Sequence, residues 1–372
     1  MALAPFLNAE DIIAPLARWW AQREPGRTNV TITGVDIPRA NGMSSETVLF
    51  TASWRENGVV HERELVARVI PPGGSIFPTY DFKREAQAMT ATRTTTSAPA
   101  PEVLGIEEDP AILGAPFLLM QRLHGRVLPD DPPFTVASWF LELDPAGRRK
   151  VIDNAVATIV EIQHADTSAM DPGTLGHPSA GSDPFTQQVQ YWRGLYEAWG
   201  GCENPHPVIE SAFDWIAQNT PAAPDEIVIS WGDARLANVM FNDHLEVTGV
   251  LDWELVALGA REIDLAWFLF IVRFYTEGIG VAVPDGHPSR DEIIEHYTRL
   301  SGHTPDNLEP YEVLAALRVS IVIMRFAMIM IQEQQLPPDA TMALSNPASR
   351  LLAAMLDLPI PSGDVGWVDG HR

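Results

Sequence analysis

Cysteine is nearly absent from this chain, since Cys202 is the one thiol in 372 residues. A single cysteine cannot form an intramolecular disulfide, which excludes a small secreted scaffold held by disulfides. The N-terminus also lacks the cationic region and the following long apolar run of a secretory signal. Together these absences predict a cytoplasmic protein.

Basic residues are scarce, with 25 lysines and arginines against 49 aspartates and glutamates, which gives a formal net charge of −24. Proteins that bind nucleic acid or anionic membranes rely on a basic surface. The sequence therefore predicts neither partner. An acidic surface would favour a cationic small molecule, although many cytoplasmic proteins are acidic for solubility alone.

Long apolar runs are missing as well. The most apolar segment, residues 319–331, is interrupted by Arg325 and falls short of the roughly twenty residues that cross a bilayer. We expect a buried core helix there. The 46% of hydrophobic residues is still enough, in a chain of 372 residues, to bury more than one ordinary domain core.

What the sequence does contain is a polar segment between short apolar runs. Asp233 and Asn238 have the spacing Asp-x-x-x-x-Asn, and Asp252 follows the next apolar run. In phosphoryl transfer, such an aspartate can receive a hydroxyl proton while the amide and a second carboxylate hold Mg²⁺, which prefers oxygen ligands. The flanking runs are typical of strands, which would mount these groups rigidly. An ordinary hairpin with Asp and Asn at turn positions is the alternative.

These residues resemble the signature of the aminoglycoside phosphotransferase-like small-molecule kinases, His-Gly-Asp-x-x-x-x-Asn followed by Asp-Trp-Glu or similar. The resemblance covers most of the chain. It implies that Asp233 is the catalytic base and that Asn238 and Asp252 bind Mg²⁺. Trp231 stands where the family usually has His, a position that mainly supports the loop. Arg235, two residues after the base, is a candidate to stabilise the transition state.

The same resemblance implies an α+β fold of the protein-kinase-like type with two lobes. Residues 1–121 would form an N-terminal antiparallel sheet lobe that binds nucleotide. Residues 122–372 would form a larger helical C-terminal lobe with the catalytic loop and the acceptor site. In that family Asp264 stabilises the catalytic loop from the helical lobe, so we expect a structural role for it.

The N-terminal third offers candidates for binding the nucleotide phosphates. Ser44 and Ser45 lie in a short segment between two β-like runs, where small residues can bring backbone N–H groups close to phosphates. Arg68 lies in the next strand, at a position where protein kinases carry Lys, and Glu85 in the following helix is its natural partner. The alternative is that both charges face solvent, as most charged residues do.

The change from apolar residues 117–120 to polar ones resembles an inter-lobe hinge. Main-chain groups near Met120, Gln121 and Arg122 would bind adenine there, because pockets commonly lie at domain interfaces. We therefore expect ATP as the phosphate donor, with GTP as an alternative that main-chain contacts do not distinguish.

The acceptor is expected to be a small molecule. Twelve residues separate Asp252 from Asp264 and no Ala-Pro-Glu segment follows, which is too short for an activation loop with a peptide platform. We predict an ATP-dependent phosphotransferase that places the γ-phosphate on a hydroxyl of a small molecule, and the family favours an aminoglycoside-like acceptor.

Two alternatives stay open. The first is a kinase for an uncharged or acidic hydroxyl compound such as a hydroxyacyl-CoA, and the second is a nucleotide-binding module without catalysis. Lysines or arginines clustered at the acceptor mouth would favour the first, whereas clustered aspartates and glutamates would favour an aminoglycoside. The sequence does not predict an oligomeric state.

Overall fold

The computed structural model describes residues 6–38, 45–70, 76–77, 80–168, 170 and 183–363. The N-terminal part is built on an antiparallel sheet, and the C-terminal part is mostly helical. The predicted α+β class is therefore confirmed. The division at residue 121 coincides with the last strand residue of the sheet and stays a prediction.

The sheet has the strand order β1-β2-β3-β5-β4, and all neighbouring strands are antiparallel. The strands are β1 Thr28–Asp36, β2 Glu46–Glu56, β3 Val59–Val69, β4 Val103–Glu107 and β5 Phe117–Gln121. Successive side chains of a strand face opposite sides of a sheet. In β3, Ala67 and Val69 therefore join the core on one face, while Val66 and Arg68 lie on the face that carries the candidate site.

Helix α1, Ala9–Arg23, covers the outer face of the sheet. It begins after Asn8, whose side chain accepts a hydrogen bond from the Glu10 N–H group. Its apolar side chains, Ile12, Leu16, Trp19 and Trp20, are buried in one cluster with strand residues. This packing leaves the inner face of the sheet for the site.

Aspartates cap two of the helices. Asp81 caps α2, Phe82–Thr95, and Asp144 caps α4, Pro145–Gln163, each by accepting a backbone N–H of the first turn. The helices after the sheet are α3 Trp139–Glu142, α4 Pro145–Gln163, α5 Pro184–Tyr196, α6 Pro207–Gln218, α7 Glu262–Phe274, α8 Arg290–Ser301, α9 Glu309–Gln332 and α10 Pro347–Met355.

Four short strands support the polar motif among these helices. They are β6 Val228–Ser230, β7 Val239–Phe241, β8 Val247–Val250 and β9 Ala257–Gly259. Strand β6 pairs with β9 and β7 pairs with β8, both antiparallel. The expected mounting of the motif between strands is therefore present, because the loop from β6 to β7 carries Asp233 and Asn238.

Helix α9 is longer than the sequence predicted. It begins at Glu309, well before the apolar run, and its 24 residues make it the one helix of the described chain with the length and composition to cross a bilayer. In its most apolar window 61% of the residues are buried inside the fold. The expectation of a segment too short to span a bilayer is wrong, whereas the expected burial is confirmed.

Candidate active site

The loop from β6 to β7 turns sharply at Gly232. This residue has φ of +89°, and a Cβ atom there would lie 2.1 Å from the Leu255 carbonyl oxygen. Glycine is required because the loop passes directly against the backbone that follows Asp252. The two halves of the polar motif are held in contact at this point.

We expect Gly232→Ala to lower the free energy of unfolding by about 3 kcal/mol, since the new methyl group must push the Leu255 backbone away. Urea unfolding of the variant measures this loss. Gly194→Ala in α5 is the matched control, because a Cβ there meets no atom within 4 Å. Equal stability of the two variants would contradict the close approach.

Asp264 at the start of α7 fixes the loop on its buried side. Its carboxylate accepts hydrogen bonds from Ser230 Oγ at 2.9 Å and from the backbone N–H groups of Trp231 and Gly232, both at 2.8 Å. Burial raises the pKa of the Asp264 carboxyl, and these donors oppose the rise by favouring the ionised form. The predicted structural role of Asp264 is confirmed.

Asp233, the expected base, is held by three donors. Its Oδ1 accepts a hydrogen bond from the Trp267 indole Nε1 at 2.9 Å. Its Oδ2 accepts from Asn238 Nδ2 at 2.8 Å and from Arg235 Nε at 2.9 Å. The residue is 8% exposed, so the carboxylate has one fixed orientation and a narrow opening to solvent.

Arg235 lies between two carboxylates. Besides Asp233, its guanidinium bonds to Asp130, which also accepts a hydrogen bond from the Tyr275 hydroxyl at 2.8 Å. Burial lowers the pKa of Arg235, but Asp233 and Asp130 together raise it well above its ordinary value. A cavity of about 10 Å³ borders this group, and it is too small to hold a substrate.

Trp231 ties the loop to the second half of the motif. Its side chain is fully buried, and its indole Nε1 donates to the carbonyl oxygens of Leu251 at 2.9 Å and Asp252 at 3.1 Å. Asp252 has φ of +56°, a conformation that is uncommon for residues other than glycine. The support expected from Trp231 is confirmed, since its indole fixes the backbone of Asp252.

Asn238 and Asp252 present oxygen atoms suited to a hard cation. The Asn238 Nδ2 group is used on Asp233, which leaves its carbonyl oxygen, and the buried Asp252 Oδ1 accepts no hydrogen bond. Burial raises the pKa of the Asp252 carboxyl, with Arg68 opposing the rise and Asp233 adding to it. The described residues contain no cluster of three or more His, Cys, Asp or Glu residues suited to a metal. Two protein oxygens nonetheless fit Mg²⁺, which takes one or two carboxylates together with phosphate and water.

Arg68 is a buried, positively charged residue of strand β3. Its NH1 lies 2.5 Å from Glu85 Oε2, so the expected ion pair is present, and its NH2 lies 3.3 Å from Glu254 Oε2. Its Nε donates to Ser45 Oγ at 3.1 Å, while Ser44 lies outside the described residues. Burial lowers the pKa of Arg68, but the surrounding carboxylates raise it above its ordinary value. Arg68 therefore stays charged.

The expected hinge residues already use part of their main chain in the sheet. Met120 lies between partners on β3 and β4. The Gln121 N–H donates to the Glu102 carbonyl at 2.9 Å, and the Arg122 N–H donates to the Glu64 carbonyl at 3.0 Å. These two N–H groups are not available to a nucleobase, so the expected contact stays a prediction for the remaining main-chain groups. The main-chain carbonyl groups of these residues and the main chain after Arg122 stay candidates for contact with a nucleobase.

Sequence reasoning missed several residues of the site. Glu254 contacts Arg68, Asp130 contacts Arg235, and Trp267 contacts Asp233. Arg318 was visible as a charge within the largely apolar α9, yet its contact with the Gly232 carbonyl at 2.6 Å bridges 86 residues. Such long-range contacts leave no local pattern in the sequence.

Two curated proteins that resemble this chain are much longer than it. Acyl-CoA dehydrogenase family member 10 of Mus musculus is 26% identical over 322 residues, which cover 84% of this chain and 28% of that protein. Acyl-CoA dehydrogenase family member 11 of Homo sapiens is 27% identical over 244 residues, covering 64% of this chain and 30% of that protein. The chain therefore spans less than a third of the length of these relatives.

Solved structures resemble the chain over nearly its whole length. A candidate aminoglycoside phosphotransferase of Ralstonia eutropha has a TM-score of 0.65 at 22% identity, covering 95% of this chain and 96% of that one. A thermostable mutant of aminoglycoside phosphotransferase APH(4)-Ia, in complex with ADP and hygromycin B, has a TM-score of 0.55 at 15% identity and covers 92% and 98%. Ethanolamine kinase of Plasmodium vivax has a TM-score of 0.53 at 12% identity and covers 82% of each chain. These likenesses confirm the predicted kinase-like fold.

A family model matches more than half of the chain. Residues 37–304 match the model of the phosphotransferase enzyme family. This range includes Arg68, Glu85 and the whole loop from β6 to Asp252. The chain belongs to the phosphotransferase enzyme family and is a small-molecule kinase.

Proposed function

We propose that the protein transfers the γ-phosphoryl group of Mg·ATP to a hydroxyl group of a small molecule. One observation carries the proposal: Arg68 NH2 on the sheet lies 3.7 Å from Asp252 Oδ1 on the catalytic segment. The expected phosphate-binding cation and the expected metal ligand thus meet in one cleft, beside the loop that carries Asp233. Catalysis of phosphoryl transfer is mostly positioning plus charge stabilisation, which such a cleft supplies.

Asp233 would take the proton of the acceptor hydroxyl while the hydroxyl oxygen forms a bond to the γ-phosphorus. The bond between this phosphorus and the leaving ADP oxygen would break in the same step. Mg²⁺, held by Asn238 and Asp252, would neutralise charge on the phosphates. Arg68 uses three of its five N–H groups on protein partners, and Arg235 uses two. Both retain donors for phosphate oxygens.

The nucleobase would be bound at the last residue of β5 and in the segment that follows it. Because the sheet uses the N–H groups of Gln121 and Arg122, we propose the main chain of Leu123 and the carbonyl of Gln121 as its partners. Main-chain groups of this kind can accept either adenine or guanine, so ATP is the proposed donor and GTP the comparison.

The charges beside the base support an acceptor that is not a polycation. Asp130 is paired with Arg235, and Asp252 and Glu254 face Arg68. In the part of the chain that the structure describes, each of these carboxylates thus has an arginine beside it. A molecule with several ammonium groups would have to compete with these arginines for the carboxylates.

Two further arginines beside the site form no ion pair with any described residue. Arg84 donates to the Glu254 carbonyl at 3.2 Å, and Arg318 donates to the Gly232 carbonyl at 2.6 Å. Arg84 is partly exposed and Arg318 is buried, so Arg84 is the one of the two that an uncharged or acidic acceptor could contact. A hydroxyacyl thioester of coenzyme A is the named candidate of this class, since it carries both a hydroxyl group and anionic phosphates.

The names of the sequence relatives point in the same direction. Proteins called acyl-CoA dehydrogenase family members match this chain at 26% and 27% identity, and their names contain the term acyl-CoA. An aminoglycoside is the second candidate, supported by the net charge of −24.

A panel of acceptors tests the proposal. ADP release from Mg·ATP is measured with purified protein and hydroxyacyl-CoA esters, aminoglycosides or simple hydroxyl compounds. We expect stimulation by hydroxyacyl-CoA esters. Stimulation by aminoglycosides alone would select the second candidate. Binding of Mg·ATP without any turnover would indicate a module without catalysis, and the absence of binding would contradict the kinase function.

We expect Asp252→Ala to weaken Mg²⁺-dependent nucleotide binding by at least about tenfold, because one of the two protein oxygens proposed for the cation is removed. Titration calorimetry with ATP, with and without Mg²⁺, measures the change. Asp214→Ala, on the exposed face of α6, is the control and should bind like the wild type. A normal Mg²⁺ response of Asp252→Ala would remove Asp252 from the metal site.

A further inference from the structure

The two carboxylate oxygens of Asp233 accept different numbers of hydrogen bonds. An ionised carboxylate has two acceptor positions on each oxygen. Oδ2 fills both, with Asn238 Nδ2 at 2.8 Å and Arg235 Nε at 2.9 Å. Oδ1 accepts one described donor, Trp267 Nε1 at 2.9 Å. The open position of Asp233 for a further hydrogen bond is therefore on Oδ1.

Trp267 is placed to hold that oxygen. It lies in α7, one helical turn after Asp264, whose carboxylate fixes the loop that carries the base. Residues three positions apart lie on the same face of a helix. The Trp267 side chain is 5% exposed. Helix α7 therefore fixes the loop backbone through Asp264 and the Asp233 carboxylate through Trp267.

The indole ring of Trp267 rests on a buried arginine. The Arg318 guanidinium carbon lies 4.1 Å from the ring centroid, and its NH2 donates to the Gly232 carbonyl at 2.6 Å. Burial lowers the pKa of Arg318 to about 10, so the group stays charged at neutral pH. A cation over the face of an indole draws electron density from the ring, which makes the Nε1–H a stronger donor to Asp233.

Arg318 forms no ion pair with a carboxylate of the described residues that would divert it from this position. Of the described arginines that are buried, Arg68 pairs with Glu85 and Arg261 pairs with Glu226. Arg318 is 2% exposed and contacts indole rings and a backbone carbonyl instead. The charges of Asp233 and Asp264 act on Arg318 without a direct ion pair. A buried charge that lacks a direct partner costs stability, which argues that its place under Trp267 serves the site.

We infer that Asp233 accepts the substrate proton on Oδ1 and that Trp267, supported by Arg318, is the positioning residue that directs this oxygen to the acceptor hydroxyl. The inference rests on the proposed function, since it names the atom that receives the proton in that reaction. The proton moves from the acceptor hydroxyl to Oδ1 as the new oxygen–phosphorus bond forms, and Oδ2 stays bonded to Asn238 and Arg235.

Trp267→Phe tests the inference, because it removes the N–H donor and keeps an aromatic ring over Arg318. We expect kcat to fall about 10- to 100-fold, the range for a hydrogen bond to a charged group, while KM for ATP and for the acceptor stays unchanged. Trp192→Phe is the matched control. Trp192 is also buried beside Arg318, at 5.1 Å, but its indole N–H has no hydrogen-bond partner among the described residues, so this variant should keep the wild-type kcat.

Nuclear magnetic resonance of the indole N–H groups provides a readout that does not depend on turnover. In wild-type protein labelled with ¹⁵N-tryptophan, the Trp267 signal is assigned from its loss in Trp267→Phe. We expect Asp233→Asn to move this signal upfield, because the charged acceptor is gone, and to leave the Trp192 signal in place.

The outcomes separate the inference from the proposed function. A wild-type protein that turns over no acceptor removes the proposed function, and the role of Trp267 with it. An active wild type whose Trp267→Phe variant retains the kcat of Trp192→Phe overturns the inference alone. So does a Trp267 signal that Asp233→Asn leaves unmoved. Loss of kcat together with the upfield shift supports it.

Discussion

Asp233→Asn is expected to lower kcat by about 100- to 10,000-fold, the range that a positioned general base contributes. The amide that replaces the carboxylate cannot accept the hydroxyl proton. It also cannot match all three donors, because Trp267 approaches one oxygen while Asn238 and Arg235 approach the other. Steady-state kinetics with the acceptor identified in the panel measure the loss.

Binding of Mg·ATP by the same variant should match the wild type, since Asp233 is not among the proposed nucleotide contacts. Asp243→Asn, an exposed residue of the turn after β7, is the matched control and should retain full activity. Thermal unfolding of both variants separates loss of the base from loss of the fold. Turnover of Asp233→Asn at the wild-type rate would remove Asp233 from the role of base.

The second large effect is expected in stability. Arg68→Met should lower the free energy of unfolding by about 3–5 kcal/mol, the cost of leaving a buried charge without its partner. Glu85 is 1% exposed, and one of its oxygens already lacks a hydrogen bond. Urea unfolding measures the loss, and ATP binding should weaken in parallel because a phosphate-binding cation is removed.

The same strand provides the control for this variant. Arg63 pairs with Glu102 at 3.1 Å on the surface, where the two side chains are 45% and 37% exposed. Arg63→Met should therefore cost less than about 1 kcal/mol. Combining Arg68→Met with Glu85→Gln should recover part of the loss, since the unpaired charge is then gone. Equal stability of Arg68→Met and Arg63→Met would contradict a buried, compensated ion pair.

The sheet side of the fold could be predicted because its signals are local. Alternating strands and the aspartate caps at Asp81 and Asp144 each depend on neighbouring residues. The pairing of Arg68 with Glu85 joins residues only 17 positions apart in adjacent elements. The motif from Asp233 to Asp252 could be recognised because its residues lie close together in the sequence.

The helical side of the site could not be predicted because its contacts are distant in sequence. Arg68 meets Glu254 across 186 residues, and Arg235 meets Asp130 across 105. Arg318 reaches the catalytic loop from the middle of α9, a helix whose apolar pattern indicated only burial. Strand pairing, which uses the Gln121 and Arg122 N–H groups, is not evident from one strand alone. The sequence therefore did not indicate which main-chain groups near Met120 stay available to a nucleobase.

The central claim is that the γ-phosphoryl group of ATP moves to an acceptor hydroxyl with Asp233 as the base. It is tested most directly by following radiolabel from γ-labelled ATP in the presence of Mg²⁺ and the acceptor that stimulates ADP release. We predict that the label appears in a phosphorylated acceptor with wild-type protein and is reduced to background with Asp233→Asn. Label released only as inorganic phosphate, or transferred equally by both proteins, would contradict the claim.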